Sequence, residues 1–301
     1  MATPTLIVLL GPTGVGKTDV GIAIAQWLGT EIVSGDSRQI YREMPLGTAA
    51  PTPAQLAAVP HHFVLSHSIH APCTAGKYEL EALALLEKLF AKHEAVLLVG
   101  GSGLYIDALC HGIDDFPDAD PSLRAALTTQ YKQEGLNSLR QQLKLLDRES
   151  YHALDLKNPR RLVRALEVTI ATGRPYSSFK KEHKQPRPFR IVKIGMQRPR
   201  EELYERINRR VVHMMDEGWL DEARSLYPFR RLPALNTVGY KELFDYMDGK
   251  ADLDNTIALI QQHTRNYAKK QRSYWARYND IRWVDAAEPE KIVSLWSKLM
   301  E

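Results

Sequence analysis

The chain has 301 residues, 44% hydrophobic and 25% charged, with a formal net charge of +4. Such a composition describes an ordinary soluble globular protein with room for one large core, or a core plus a smaller domain, and excludes disordered and fibrous classes. Its mild basicity permits a polyanionic partner without requiring one.

The N-terminal stretch MATPT lacks a basic region, and the apolar run Leu6 to Leu10 is too short for a signal peptide or a membrane span. Cys73 and Cys110 have no CxxC or CxxH neighbours. A cytoplasmic protein with no membrane association and no zinc site is therefore expected.

Residues 6 to 20, LIVLLGPTGVGKTDV, read as a strand, a glycine loop and the start of a helix. Within them Gly11, Pro12, Thr13, Gly14, Val15, Gly16, Lys17 and Thr18 fit the pattern G-x-x-x-x-G-K-[ST] at every fixed position. Glycines allow the backbone amides of residues 13 to 18 to converge on phosphate at a helix N-terminus. Lys17 adds a point charge, and the Thr18 hydroxyl is a ligand suited to Mg2+. The alternative is a glycine turn that happens to carry Lys-Thr.

Further apolar runs follow in EIVSGDS and AVLLVGGSGLY, the latter preceded by the helical pattern AGKYELEALALLEKLFAKH. Buried strands alternating with helices predict a parallel α/β sheet covered on both faces. The texture changes at DDFPDADP, residues 114 to 121, and amphipathic helical segments continue to Pro188 before FRIVKIGM returns to strand pattern. An all-helical domain over 116–188, inserted into a P-loop NTPase-like core of 1–115 and 189–301, is the expected arrangement. The final third is mostly helical and closes with the strand IRWVD.

A P-loop hydrolase or kinase usually holds magnesium with an Asp at the end of a second strand. Here AVLLV runs into GGSGLY without a carboxylate, and no Asn-Lys-x-Asp motif is present. The nearest carboxylate is Asp36, at the end of the EIVSG strand, beside Ser37, Arg38, Gln39 and Tyr41. Open α/β sheets place ligands at that edge. Gln39 has the two-faced amide that reads an adenine edge, while Asp36 could equally cap a following helix.

Basic residues fall in three sets. In TRNYAKKQRSYWARY, helical spacing puts Arg265, Lys269 and Arg272 on one side and Tyr267, Tyr274 and Tyr278 on the other, with the tyrosines expected in the core. Lys157, Arg160, Arg161 and Arg164 form a second set and FKKEHKQPRPFR a third. Together they favour a polyanion such as RNA over three solvated faces. A P-loop small-molecule kinase of the nucleoside type, with the inserted helices as a lid, is the competing reading.

Six blocks in order, GPTGVGKT, SGDSRQIY, GGSGLY, NPRRLVRALEV, NTVGYKE and TRNYAKKQ, closely resemble the tRNA dimethylallyltransferases over residues 5 to 280. The resemblance implies transfer of a dimethylallyl group from dimethylallyl diphosphate to the N6 amine of the adenosine 3′ of a tRNA anticodon, with diphosphate leaving and Mg2+ as cofactor. It implies Asp36 as general base, with Lys17, Thr18 and Arg206 on the leaving diphosphate. Apart from the resemblance, Arg206 reads first as part of a solvated helix face, since Glu202 and Glu205 lie close in sequence. The implied contacts to the anticodon stem-loop are Asp36, Ser37, Arg38, Gln39, Ser102, Arg124, Arg160, Arg161, Leu162, Val163, Arg164, Asn236, Thr237, Val238, Gly239, Tyr240, Lys241, Lys269, Lys270, Arg272 and Arg277. The sequence departs from the family pattern at Ser102, commonly Thr; at Asn158, often Asp; and at Ser273-Tyr274-Trp275, usually Thr-Trp-Phe. The zinc-finger extension of eukaryotic members has no counterpart, which points to the bacterial type, and a monomer is expected.

Overall fold

A computed structural model describes residues 3–114, 116–117, 120–180 and 186–288. Its first strand, β1 (Thr5–Leu10), is buried along its whole length, as a continuous apolar run between two neighbours must be. Helix α1 (Lys17–Leu28) starts after Gly16, which sits at φ 105°, ψ 22°, a left-handed conformation that other residues rarely adopt. Then come β2 (Ile32–Gly35), α2 (Pro53–Ala58), β3 (His61–His62), α3 (Ala75–Phe90), β4 (Ala95–Gly100) and α4 (Gly103–His111). A Thr52/Gln55 capping box and Pro53 start α2, and the Thr74 hydroxyl caps α3.

Residues 112–185 form a second compact unit, inserted between the two parts of the first. It contains α5 (Pro121–Glu134), α6 (Leu136–Leu146), α7 (Arg148–Ala153) and α8 (Pro159–Thr172). Its core is Leu127, Leu139, Leu143, Leu162, Ala165 and Leu166. Asn158, where Asp is common, still caps α8 by accepting from the amides of Arg160 and Arg161.

The first unit resumes with β5 (Arg190–Gln197), α9 (Arg200–Asp216), α10 (Trp219–Leu226), α11 (Tyr240–Met247), α12 (Leu253–Trp275) and β6 (Ile281–Asp285). All six strands are parallel, in the order β3-β2-β4-β1-β5-β6. The sheet predicted from sequence is therefore present, with β3 as an added edge of two half-buried histidines. The loops after β1, β2 and β4 leave from the same, carboxyl edge, because adjacent parallel strands end in register: Leu10 pairs with Gly100, and Gly100 with Gly35. That pairing needs glycine, since a Cβ on Gly100 would lie 2.4 Å from the Gly35 carbonyl oxygen.

Within the helical unit the Glu167 carboxylate is wholly buried and takes a two-pronged contact from Arg124, at 2.8 and 3.0 Å, plus one from Arg164 at 3.3 Å. A buried carboxylate is tolerated only with such partners. Arg124→Ala should therefore destabilise the unit by about 1–3 kcal/mol, read from urea unfolding of the full chain. Unchanged stability would make the pair incidental.

Candidate active site

Lys17, at the start of α1, points its ammonium at the carbonyls of Gly11 and Pro12, 3.0 and 2.9 Å away. Burial lowers its pKa from 10.5 to about 8; Asp36 opposes that shift and Arg210 adds to it. Helix α9 supplies two arginines one turn apart. Arg206 Nε donates to the Gly14 carbonyl at 3.0 Å, and Arg210 Nη2 donates to Thr13 Oγ1 at 2.7 Å. Arg198, before α9, donates from Nε to the Val15 carbonyl at 2.9 Å. The loop carbonyls and the Thr13 hydroxyl are thus held by cations, while the amides of Lys17 and Thr18 open the helix with no preceding turn to donate into. Two expected amides are committed elsewhere: Val15 N–H donates to Pro12 O at 3.4 Å, and Thr13 N–H donates to Gln271 Oε1 of α12 at 2.8 Å, while the Gln271 amide donates to Gly101 O at 2.9 Å.

Asp36 follows β2 directly. One oxygen, Oδ1, accepts from the amides of Arg38 (2.8 Å) and Gln39 (3.2 Å), so the capping role weighed from sequence exists, over a turn and not a helix. Ser102 Oγ, after β4, accepts from Ser37 N at 2.9 Å and donates to Ser37 Oγ at 3.1 Å, tying two strand-end loops together. The Asp36 carboxylate is close enough to Lys17 and Arg210 to raise the pKa of each against burial. Arg38 is drawn to the carbonyls of Pro233 and Ala234.

The base-reading expected of Gln39 meets a constraint. Both amide hydrogens are taken by the carbonyls of Thr48 (3.2 Å) and Ala49 (2.8 Å), so only the acceptor half of a two-point base contact is available. The tyrosine side of α12 also differs from expectation. The buried line runs through Thr256, Ile260, Ala268, Gln271 and Trp275, which leaves Tyr267, one residue off that line, 38% exposed. Its phenol is pushed up to about 12 by loss of water around the group and then by the Asp36 carboxylate. Tyr274 and Tyr278 are half-buried and both donate to Asp107 Oδ2.

The remaining expected contacts divide by exposure. Arg160, Arg161, Asn236, Lys241, Lys269, Lys270 and Arg272 are exposed, while Val163, Thr237 and Val238 are half-buried. Arg277 is exposed but bound to Asp107 at 2.6 Å and stacked on Tyr274. Arg265 of the predicted stripe instead donates to Asn208 of α9 at 2.6 Å. Gly239 is buried at the start of α11, and Leu162 and Tyr240 are fully buried, so their side chains frame the neighbouring exposed residues and offer no surface. Tyr240 donates to Glu222, which also accepts from the amides of Leu46 and Gly47. Part of the third basic set, residues 181–185, lies outside the described residues.

Sequence reading missed Arg198, Arg210 and Gln271. Arg210 carried a signal, its i, i+4 spacing from Arg206; Gln271 reaches a loop 258 residues away and carried none.

A phosphate loop beside a strand-end carboxylate, with glycine and serine where a hydrolase carries its magnesium Asp, defines a transferase that handles a phosphorylated donor. The IPP transferase family profile matches residues 39–278. The chain is 51% identical over 294 residues to tRNA dimethylallyltransferase 1 of Bacteroides fragilis, covering 98% of each, and 53% identical over 279 residues to its Porphyromonas gingivalis counterpart, covering 93% of each. Among solved structures, the tRNA isopentenylpyrophosphate transferase of Bacillus halodurans superposes with a TM-score of 0.71 at 32% identity, over 98% of this chain and 96% of that one. The chain belongs to the tRNA dimethylallyltransferase (IPP transferase) family of bacterial type.

The depressed Lys17 pKa carries a pH signature. Between pH about 8 and 10.5 the unfolded chain holds a proton on Lys17 that the folded chain has shed, so stability rises with pH across that window. The melting temperature of the ligand-free wild type minus that of Lys17→Met should therefore climb by several degrees from pH 8 to 10.5. A flat difference would place Lys17 in water.

Proposed function

We propose that this protein attaches the dimethylallyl group of dimethylallyl diphosphate to N6 of the adenosine 3′ of the tRNA anticodon, using the strand-end site above. The observation that carries this reading is an intact phosphate loop after β1 and Asp36 after β2 on the same carboxyl edge, on either side of β4, which ends at Gly100 and is followed by Gly101 and Ser102 with no carboxylate. A leaving diphosphate needs cations and amides; it needs no residue to direct water or an acceptor hydroxyl at phosphorus, as a kinase does.

The adenine nitrogen bonds to the allylic C1 as the C1–O bond breaks, and the electron pair leaves with the diphosphate. Charge grows on the departing oxygens, where Lys17, Arg206 and the amides at the start of α1 stabilise it. An exocyclic amine is too weak an acid to lose its proton first, so Asp36 takes it as the nitrogen becomes cationic. Asp36 Oδ2, with no hydrogen bond among the described residues, is the oxygen for that role. The target base must leave its stack to reach C1 in line.

The residues fit a magnesium ion. Thr18, Ser34 and Gln39 line one small cavity together with His61 and the apolar Ile32, Pro51, Val64 and Val99, and with its amide nitrogen already bound, Gln39 has its carbonyl oxygen to spare. Hard oxygen donors of this kind suit a cation that keeps several waters. Bound there, it would supply positive charge for the diphosphate.

The helical unit and α12 carry the RNA contacts in this reading, supported by the exposed Arg160, Arg161, Lys269 and Arg272, none of which has an ion-pair partner among the described residues. In this reading the protein works as a monomer, in the cytoplasm, where tRNA is modified. No described helix is long and apolar enough to cross a membrane.

Incubation with ATP and a nucleoside, against dimethylallyl diphosphate and tRNA, separates this reading from a kinase: only the second pair should react. Asp36→Ala should lower turnover about 100-fold or more with donor and tRNA affinity nearly unchanged. Turnover within a few-fold of wild type would reduce Asp36 to its turn-capping role. Neutralising any of the four exposed basic residues should weaken cognate and scrambled stem-loops alike and flatten the slope of log affinity against log salt by about 0.7–0.9. Unchanged slopes in all four would return them to ordinary solvated faces.

A further inference from the structure

Arg210 is a basic residue at the phosphate loop with a polar atom left unpaired. It lies one turn beyond Arg206 on α9 and reaches the loop through Nη2, which donates to Thr13 Oγ1. Its Nε is buried and has no hydrogen-bond partner, and no carboxylate lies within ion-pair distance of it among the described residues. Its neighbours include like charges, Lys17 and Arg206, set against the single carboxylate of Asp36. A half-buried guanidinium with its Nε sealed from water and unpaired, crowded by other cations, costs stability unless something anionic completes it.

Alternatives within the chain do not supply that anion. Glu202 is held by Arg198, and Glu205 lies near Arg209. The Asp36 turn contacts use Oδ1. Thr13 is a neutral acceptor and accounts for one of five donors. Arg210 thus reaches the same loop that Lys17 and Arg206 contact, and it shares their electrostatic surroundings, with donors left over.

We infer that Arg210 is a further catalytic residue of the prenyl transfer: its guanidinium binds the diphosphate of the donor directly, beside Lys17 and Arg206, and through Thr13 it also sets the loop. This rests on the reading of the loop as a diphosphate site. A fork of donors suits phosphate oxygens better than a point charge, and it stabilises the charge that develops as the C1–O bond breaks. The geometry also explains the Thr13 contact: a guanidinium that touches both the loop and the leaving group fixes their separation.

The test uses the full-length enzyme with inorganic pyrophosphate as the binding probe, in Arg210→Gln, Arg210→Lys, Thr13→Val and Lys17→Met. Arg210→Gln should weaken pyrophosphate by about 10- to 100-fold, the range for a charged hydrogen bond. It should raise KM for the donor and lower kcat, and leave tRNA affinity within about twofold. Arg210→Lys should recover part of the loss, and Thr13→Val should lose less than Arg210→Gln. With the unpaired charge removed, the ligand-free Arg210→Gln enzyme should melt higher than wild type, which a merely structural arginine would not allow. Unchanged pyrophosphate affinity in both Arg210 variants, with Lys17→Met impaired, would overturn the inference and leave the diphosphate site standing. A Thr13→Val loss equal to that of Arg210→Gln would also overturn it, by showing that Arg210 acts only through the loop. If Lys17→Met binds pyrophosphate as wild type does, the underlying reading of the loop fails as well.

Discussion

Positive charge gathered at the end of a parallel sheet, with too little negative charge to match it, is the constraint on which this structure depends. Lys17, Arg206 and Arg210 meet around one loop, and Asp36 is the carboxylate that influences both Lys17 and Arg210. The fold holds them there through apolar packing. Leu203 and Ile207 of α9 are sunk in the sheet core with Val15, Ile194 and Met196, which fixes the arginines on the flank of the same helix. Gly14 permits the approach, since a Cβ there would come within 2.9 Å of Ile207 Cγ1. Without that close contact α9 would stand off, and its arginines would not reach the loop carbonyls.

The same imbalance selects the chemistry. A site with surplus positive charge and a single proton acceptor favours departure of an anion over attack by an activated hydroxyl at phosphorus. Asp36 is held by two backbone amides on one oxygen, which leaves the other to work and keeps the side chain in place without a cationic clamp. Ser102 and the Gly35–Gly100 pairing keep that turn beside the loop. Each feature is small; together they bring a carboxylate and the phosphate loop to the same edge of the sheet, on either side of β4.

Much of this was legible in sequence because the signals were local. Continuous apolar runs next to glycine loops marked β1, β2 and β4, and FRIVKIGM and IRWVD marked β5 and β6. The two-residue strand β3 has no periodicity to read, and the short helix α2 before it, capped by Thr52 and Gln55, falls outside the sequence reading. In the site, Lys17, Thr18 and Asp36 could be placed from motif and strand-end position. Gln271 and Arg198 could not, because their partners lie far off along the chain and are set by packing. Tyr267 was misassigned for a related reason: helical spacing defines two faces, but Ala268, Gln271 and Trp275 decide which line is buried. Gln39 looked like a base reader from its chemistry, and the carbonyls of Thr48 and Ala49 that claim its amide come from a loop whose path no local pattern specified.

The central claim is that the loop holds a group that leaves by carbon–oxygen cleavage. The direct measurement uses dimethylallyl diphosphate carrying 18O in the bridge between C1 and phosphorus, incubated with enzyme and tRNA. Released pyrophosphate is then analysed by mass spectrometry. The account predicts that all the label leaves with the pyrophosphate, in step with one prenylated adenosine per molecule released. Label retained on the organic fragment, or a phosphorylated acceptor, would mean that the bond to phosphorus breaks, and would contradict the account.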